Sequence, residues 1–466
     1  MAVGERDIEP VAAAAGARGG RLAGRAAGPL VVLSMVNLVD QTDTNILRGV
    51  LPFIEDEFNA SDFQLGALGF AFVFINALAT IPAGWLADRV RRTRLIGFTL
   101  FSWSGLSALA AVAGSYVHLF AARASLGFGQ AIDDPASTSL LADYYPAEVR
   151  GRVFSIQQVM TFIGGGLGLA LGAFVADEFG WRWAFVIVGM PGSLVGFLVL
   201  GLREPPRGEA EGVVAGPEPP AKQRVGELAR TAWRGLRADL RMIFGIRTMR
   251  FVLVGVSTLL FTVAGVGYWL AVYHDRYSGL TEKEAAGVAA GVLAVAGIIG
   301  TIYGGRVTDR VYGVSPAGRI TLVSNAILIC AGMFAISFAV PIVPVRLALQ
   351  FVGVLSIASA FPGLRASMMD VTPVHARGVS SSAFALTSTL FGTALAPPFV
   401  GLLSDVTGSL VAAFYIVTPP VVVGSLILRR AKDTIVDDAA AILSTLAVAA
   451  AVNPDGDADD GLGLPL

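Results

Sequence analysis

Across 466 residues the chain has one cysteine and three histidines, and only 15% of its residues are charged. A lone cysteine, Cys330, cannot form an intramolecular disulfide, which excludes a disulfide-stapled secreted scaffold. His118, His274 and His375 are scattered at the ends of expected helices. With Cys330 isolated there is no nucleophile–base or metal-ligand constellation, so no enzyme chemistry, metal or cofactor is expected. A net charge of -1 offers no basic excess for nucleic acid. Residues 1–27 are rich in Ala, Gly and Arg but lack a compact apolar stretch and a cleavage site, so they read as a disordered basic tail rather than a signal peptide.

What is abundant is apolar sequence: 54% of residues are hydrophobic and the mean hydropathy is +0.68, which makes lipid the natural solvent. A window of about 20 residues, the length that crosses the hydrocarbon, places spans 1–6 near 28–54, 64–88, 95–114, 116–144, 151–176 and 181–202. Spans 7–12 fall near 250–274, 285–308, 319–340, 346–370, 379–404 and 410–430. The expected fold is an all-α membrane protein of twelve transmembrane helices in two six-helix bundles, 28–202 and 250–430. Between them, residues 203–249 carry five prolines and then an Arg-rich stretch, a linker with a basic amphipathic helix on the lipid surface. An acidic tail, 431–466, has no assigned role.

Basic residues mark the cytoplasmic side. Under this layout only Arg182, Arg276, Lys283 and Arg346 of 34 fall on the far side. Both termini are expected in the cytoplasm and the protein in the plasma (inner) membrane. The first outer loop, with Glu55, Asp56, Glu57 and Asp62, contains no basic residue.

Two motifs recur. Gly84, Asp88 and Arg89 reappear as Gly305, Asp309 and Arg310, 221 residues on, and Asp143, Pro146, Arg150 and Gly151 reappear as Asp370, Pro373, Arg377 and Gly378, 227 residues on. Two ordered matches at nearly one offset mean duplicated halves, related as parallel repeats. Both motifs sit at cytoplasmic helix ends, where rocking halves meet. Gly84 and Gly305 would allow close backbone approach, Asp88 would pair with arginine or a helix N-terminus, and Asp309 with Arg310 would form the weaker copy because its basic cluster is missing. Arg89 and Arg92, with Arg91 and Arg94, read as topology and lipid-phosphate contacts rather than substrate ligands.

The stretch GWLADRVRRTR from Gly84 resembles the loop signature of the Major Facilitator Superfamily. RASLGFG, with Arg123, Gly127 and Gly129, and the glycines Gly164 to Gly172 are similar to its span 4 and span 5 motifs. NLVDQTDTNILRGVLPFIEDEF, RASLGFGQAIDDPASTSLLADYYP and GWRWAFVIVGMPG are similar to the Spinster-like branch. That resemblance implies transport of lysolipids, sphingoid phosphates or related amphiphiles, with acidic positions on spans 1 and 4 handling protons. The chain departs from the branch at Gln41, where an arginine is expected, and at Gln130, where a glutamate is expected.

Ionisable groups inside spans are costly and point to function. At 100° per residue Asn37, Asp40, Gln41, Thr44 and Arg48 form one stripe, with Asp43 at its edge. On span 4, Arg123, Gln130 and Asp134 share a face, while Asp133 points away. Asp134 is therefore expected to take the carboxylate role Gln130 cannot perform, with Asp40 as its partner and Asp43 and Asp133 as lesser candidates. The plainer alternative is that these carboxylates neutralise Arg48 and Arg123 in fixed pairs. Tyr268, Trp269 and Tyr273 read first as interfacial aromatics and second as a gate, and Arg365 as a cavity cation. The glycines of span 5 serve close helix packing.

The resulting expectation is a monomeric, proton-coupled secondary transporter of an amphiphilic anion, in contact with protons, membrane lipids and its small substrate. The alternative is a multidrug or small-metabolite proton antiporter of the same fold, which three cavity arginines disfavour for cationic drugs.

Overall fold

In lipid a backbone has to satisfy its hydrogen bonds internally, and a chain this apolar does so as helices. A computed structural model describes residues 27–87, 90–145, 147–206, 241, 244–372, 384–438 and 440–441. Most of the two expected tails, nearly all of the basic linker helix, Asp88, Arg89, Pro146, Pro373, His375, Arg377 and Gly378 lie outside the described residues.

The first half comprises α1 (Ala27–Phe58), α2 (Asp62–Ala87), α3 (Arg92–Ala111), α4 (Tyr116–Gln130), α5 (Asp133–Tyr144), α6 (Ala147–Phe179) and α7 (Trp181–Leu200). The second comprises α8 (Arg247–Ser278), α9 (Glu282–Val314), α10 (Pro316–Ala339), α11 (Val343–Asp370), a π-helical segment (Thr389–Ala394) leading into α12 (Ala396–Thr407), and α13 (Leu410–Arg429). Each expected span overlaps a helix. Span 4 differs, being divided into α4 and α5 by a turn at Ala131–Ile132.

Among the described residues, nine helices are long and apolar enough to cross a membrane. They include all six segments of the second half but only α2, α6 and α7 of the first. Of the first-half segments outside this set, α1 and α3 carry polar groups that interrupt the apolar run, and α4 and α5, at 15 and 12 residues, are each too short to cross alone.

Glycine sets the tightest packing in the first half. A Cβ on Gly168 would lie 2.2 Å from the Thr42 carbonyl oxygen, and one on Gly164 would lie 2.6 Å from that of Leu38, so α6 rests directly on the α1 backbone. This is the close packing expected of the span 5 glycines. Gly305 differs from expectation. A Cβ there would meet nothing, whereas at neighbouring Gly304 it would lie 2.3 Å from Ser359 Cα. The close approach of α9 to α11 thus belongs to the glycine before the repeated one.

At the end bearing the acidic 55–62 loop, called the outer end, one apolar core runs through both halves and joins Ile46, Leu65, Trp181 and Phe185 to Tyr268, Trp269, Val400 and Phe414. Toward the opposite end the core divides. One cluster, around Leu33, Leu100, Trp103 and Leu140, lies wholly in the first half. The other, around Val252, Ile327, Leu364 and Leu428, lies wholly in the second.

Candidate translocation site

The polar residues of α1 project toward α3, α4 and α6 because α6 glycines hold that helix close. Asp43 has no exposed surface. Its Oδ1 accepts from Ser107 Oγ at 2.6 Å and its Oδ2 from Gln130 Nε2 at 3.4 Å. Gln130 Oε1 in turn accepts from Thr44 Oγ1 at 3.1 Å. Gln130 is therefore not a silent replacement of a carboxylate, since its amide ties α4 to two residues of α1.

Arg123, 1% exposed, lies on the same helix within electrostatic reach of Asp43. Its guanidinium is 5.3 Å from the Phe72 ring centre and 5.9 Å from that of Phe185, while its Nε and Nη1 make no hydrogen bond. A buried guanidinium with idle donors is expensive.

The surroundings of the carboxylates differ from those expected. Asp43, expected at the edge of the stripe, is its most buried member. Asp40 is half-buried and accepts only from its neighbour, Gln41 Nε2, at 2.9 Å. The turn between α4 and α5 breaks the constant angular step from which Asp134 was placed beside Gln130. As a result Asp133 is buried and accepts from Ser137 Oγ at 2.8 Å, whereas Asp134 is exposed. Arg365 on α11 is exposed as well, and its charge acts on Asp134 from the other half. Asn37 Oδ1 accepts from Thr161 Oγ1 at 3.1 Å. Among the described residues no ion pair joins Arg48 or Arg123 to any of these aspartates, so the fixed-pair alternative is not what the side chains form. Arg48, half-buried, faces the Tyr268 ring at 5.9 Å.

The aromatics of α8 are buried rather than interfacial, which corrects the first reading of them. Tyr268 OH donates to the Leu65 carbonyl at 2.8 Å, from one half to the other. Trp269 Nε1 donates to the Pro397 carbonyl at 3.0 Å, and Tyr273 packs among Tyr277, Phe338 and Phe414.

Further links between the halves gather at the outer end. Asp405 Oδ1 and Oδ2 accept the first two backbone N–H groups of α2, from Asp62 at 3.0 Å and Phe63 at 2.9 Å, and so cap one half's helix with the other half's carboxylate. Arg276 reaches Glu55 and Asp62, each at 2.7 Å, and Lys283 reaches Glu178 at 2.8 Å. The helices approach closely here, since a Cβ on Gly401 would lie 2.2 Å from the Asp62 carbonyl oxygen and one on Gly66 would lie 2.4 Å from that of Pro397. Asp405, Ser107 and Arg276 carry no local sequence signal; only their partners across the fold reveal them.

Arg92 is also corrected. It is 1% exposed and donates to Glu204 Oε1 at 2.9 Å, Ser139 Oγ at 2.9 Å, the Pro205 carbonyl at 3.0 Å and the Asp143 carboxylate. It is an internal clamp of the first half, joining its two repeated motifs, and at 1% exposure it is shielded from the surface. Glu204 lies outside the spans. Burial pushes its carboxyl upward, but hydrogen bonds from Thr93 and Arg92 outweigh this and hold it below the ordinary glutamate value. The clamp has a counterpart that the repeated loop did not reveal: Arg319, 4% exposed, occupies the first turn of α10 as Arg92 does that of α3, at the same 227-residue offset as the second motif. Of the remaining latch residues, Gly84 lies in α2 and Arg310 is exposed on α9, while Asp309 lies on α9 beside it.

The model of the Major Facilitator Superfamily matches residues 33–392. The chain is 25% identical to Protein spinster homolog 3 of Homo sapiens over 402 residues, covering 80% of this chain and 74% of that protein. It is also 25% identical to the sphingosine-1-phosphate transporter of Danio rerio, covering 81% and 76%. To a probable galactarate/D-glucarate transporter of Escherichia coli (strain K12) it is 24% identical, covering 75% and 82%. A crystal structure of a bacterial homolog of the human lysosomal transporter Spinster, in an inward-facing and unoccupied conformation, has a TM-score of 0.71 at 22% identity and covers 91% of this chain and 99% of its own.

Proposed function

Because the chain belongs to the Major Facilitator Superfamily, as a Spinster-like integral membrane transporter of a small substrate, we propose that it moves an amphiphilic anion of lysolipid or sphingoid-phosphate type by proton-coupled alternating access. The single observation carrying this reading is the buried Asp43–Gln130–Arg123 cluster. It places a carboxylate within electrostatic reach of a guanidinium with two idle donors, both buried in the interior of one half.

An anion that enters and reaches the idle Nε and Nη1 donors of Arg123 competes with Asp43 for that cation. Removing a neighbouring positive charge from a buried carboxylate favours proton binding. Proton and anion occupancy are linked without direct contact. Two relatives are named as transporters of sphingosine 1-phosphate and of galactarate/D-glucarate, both anionic, which agrees with a buried arginine that has idle donors.

The continuous outer core, the Asp405 cap and the Arg276 cluster support assignment of this conformation as closed outside and open to the cytoplasm, with both termini on the cytoplasmic side. Alternating access then requires these contacts to break while the inner ends of the halves approach. Arg365 and Asp134, exposed on opposite halves, are the charges that approach brings together, and Gly84, Asp309 and Arg310 lie at the same inner ends.

Proteoliposomes test the reading. Uptake of lysophosphatidylglycerol or sphingosine 1-phosphate is followed with and without an imposed pH gradient, and ethidium serves as the cationic drug probe. Gradient-dependent accumulation of an anionic amphiphile is expected. Accumulation of ethidium without either anion would sink the assignment in favour of a multidrug antiporter.

A further inference from the structure

A second feature lies away from the central cluster, on the flank of the second half. There α8, α13 and the π-helical segment enclose an open groove of about 540 Å³, walled by Leu253, Val254, Phe261, Phe391 and Pro420, with Arg250 also in its lining. Arg250 lies in the first turn of α8 and Phe261 eleven residues further on. At 1.5 Å per residue the groove runs about 16 Å along that helix, which matches one leaflet of a hydrocarbon layer about 30 Å thick. A cation stands at the headgroup level and apolar walls follow below it.

The groove is shaped by a departure from the internal repeat. In the first half α6 is α-helical from Ala147 to Phe179, whereas its counterpart has six residues of π-helix, Thr389–Ala394. Such segments are rare and often mark functional sites. A Cβ on Gly392 would lie 2.9 Å from Leu260 Cβ, so this turn is pressed onto α8, and the adjacent Phe391 stands 64% exposed as a groove wall. Ser257 Oγ, in the groove lining, is buried and has no hydrogen-bond partner. It is a donor without an acceptor in an otherwise apolar trough.

We infer that this groove holds one acyl chain of an anionic phospholipid from the leaflet at which α8 begins, with the lipid phosphate on Arg250. The helix N-terminus itself is not the anion site, since Thr248 N already donates to Asp438 Oδ2 at 2.8 Å and Thr248 and Met249 are buried. Arg247 and Arg250 are exposed and make no ion pair among the described residues, which selects an anionic over a zwitterionic headgroup. The site requires only that the protein lie in a bilayer, so it stands independently of the transported substrate.

Native mass spectrometry of the full-length detergent-solubilised protein, titrated with phosphatidylglycerol and with phosphatidylcholine, tests the site. Wild type is expected to bind phosphatidylglycerol at least tenfold more tightly. Arg250→Gln abolishes that preference, Val254→Trp fills the groove and removes the first adduct of either lipid, and Arg430→Gln, an exposed arginine outside the groove lining, leaves the preference intact. Equal binding of the two lipids by wild type, an unchanged preference in Arg250→Gln, an adduct surviving Val254→Trp, or a loss in Arg430→Gln equal to that in Arg250→Gln would each overturn the proposal. Unchanged melting temperatures of the variants show that the comparison is made on folded protein.

Discussion

The two halves share a fold and divide the chemistry. In the first, α1, α4 and α5 carry Asp40, Asp43, Arg48, Arg123, Gln130, Asp133 and Asp134. In the second, the inward-facing surface of α8 offers Thr262 among Val263 and Val266, and it borders a small apolar cavity of about 60 Å³ lined also by Ile327, Phe334 and Ile357. All six second-half segments are apolar enough to span a membrane, and in the first half three are. Among the described residues the second half has no buried carboxylate, whereas the first buries Asp43 and Asp133 within its spans. Ionisable groups inside spans, retained at the cost of burying them, point to function.

Variants can break or sharpen this contrast. The largest effect is expected where the halves touch. Gly401→Val places a side chain against the Asp62 carbonyl, 2.2 Å from where its Cβ would stand. It should force the outer side open and abolish transport, and labelling of a cysteine introduced at Leu65, fully buried in this conformation, reads this out because the native Cys330 is buried as well. Removal of the cross-half cap by Asp405→Ala is worth about 1–2 kcal/mol. It should shift the ratio of outer-closed to outer-open molecules roughly 5- to 30-fold, measurable by spin-label distances across the outer ends. Within the first half Asp134→Asn should slow transport by no more than about threefold, because the carboxylate is open to water and any ion pair it forms is worth about 1 kcal/mol at most.

The smallest effect concerns the Arg92 clamp. Glu204 is held below its ordinary value in the folded protein, so its stabilising contribution is complete above about pH 4.3. That contribution is lost as pH falls through the lower, folded-state value. Glu204→Gln should lower the melting temperature slightly at neutral pH and flatten its acid dependence. A wild-type acid profile reproduced by the variant would remove Glu204 from the account.

Fold and duplication were legible in the sequence because they rest on long apolar runs and on two motifs repeated at nearly one offset. The polar stripe of α1 was legible for the same reason, a constant helical step. That step failed at Ala131–Ile132, where a turn rotates everything beyond it, so Asp133 and Asp134 exchanged environments. Asp43 was underrated because its position on the stripe says nothing of Ser107, which reaches it from α3. Arg92 was misjudged because its neighbours in sequence are exposed arginines, while its partners, Asp143 and Glu204, come from other helix ends. Asp405 was invisible because its partner is a backbone in the other half.

Whether the first half owns the coupling is decided by gradient-driven uptake of whichever anionic amphiphile wild-type proteoliposomes accumulate. Asp43→Asn is compared with Thr262→Val, its substitution in the second half, and counterflow without a gradient serves as the control for a folded, binding-competent protein. The account predicts that Asp43→Asn loses at least tenfold of the gradient-driven component while keeping counterflow, and that Thr262→Val changes both by less than about threefold, a loss of under 1 kcal/mol. Undiminished gradient-driven uptake in Asp43→Asn, with its loss in Thr262→Val, would contradict it.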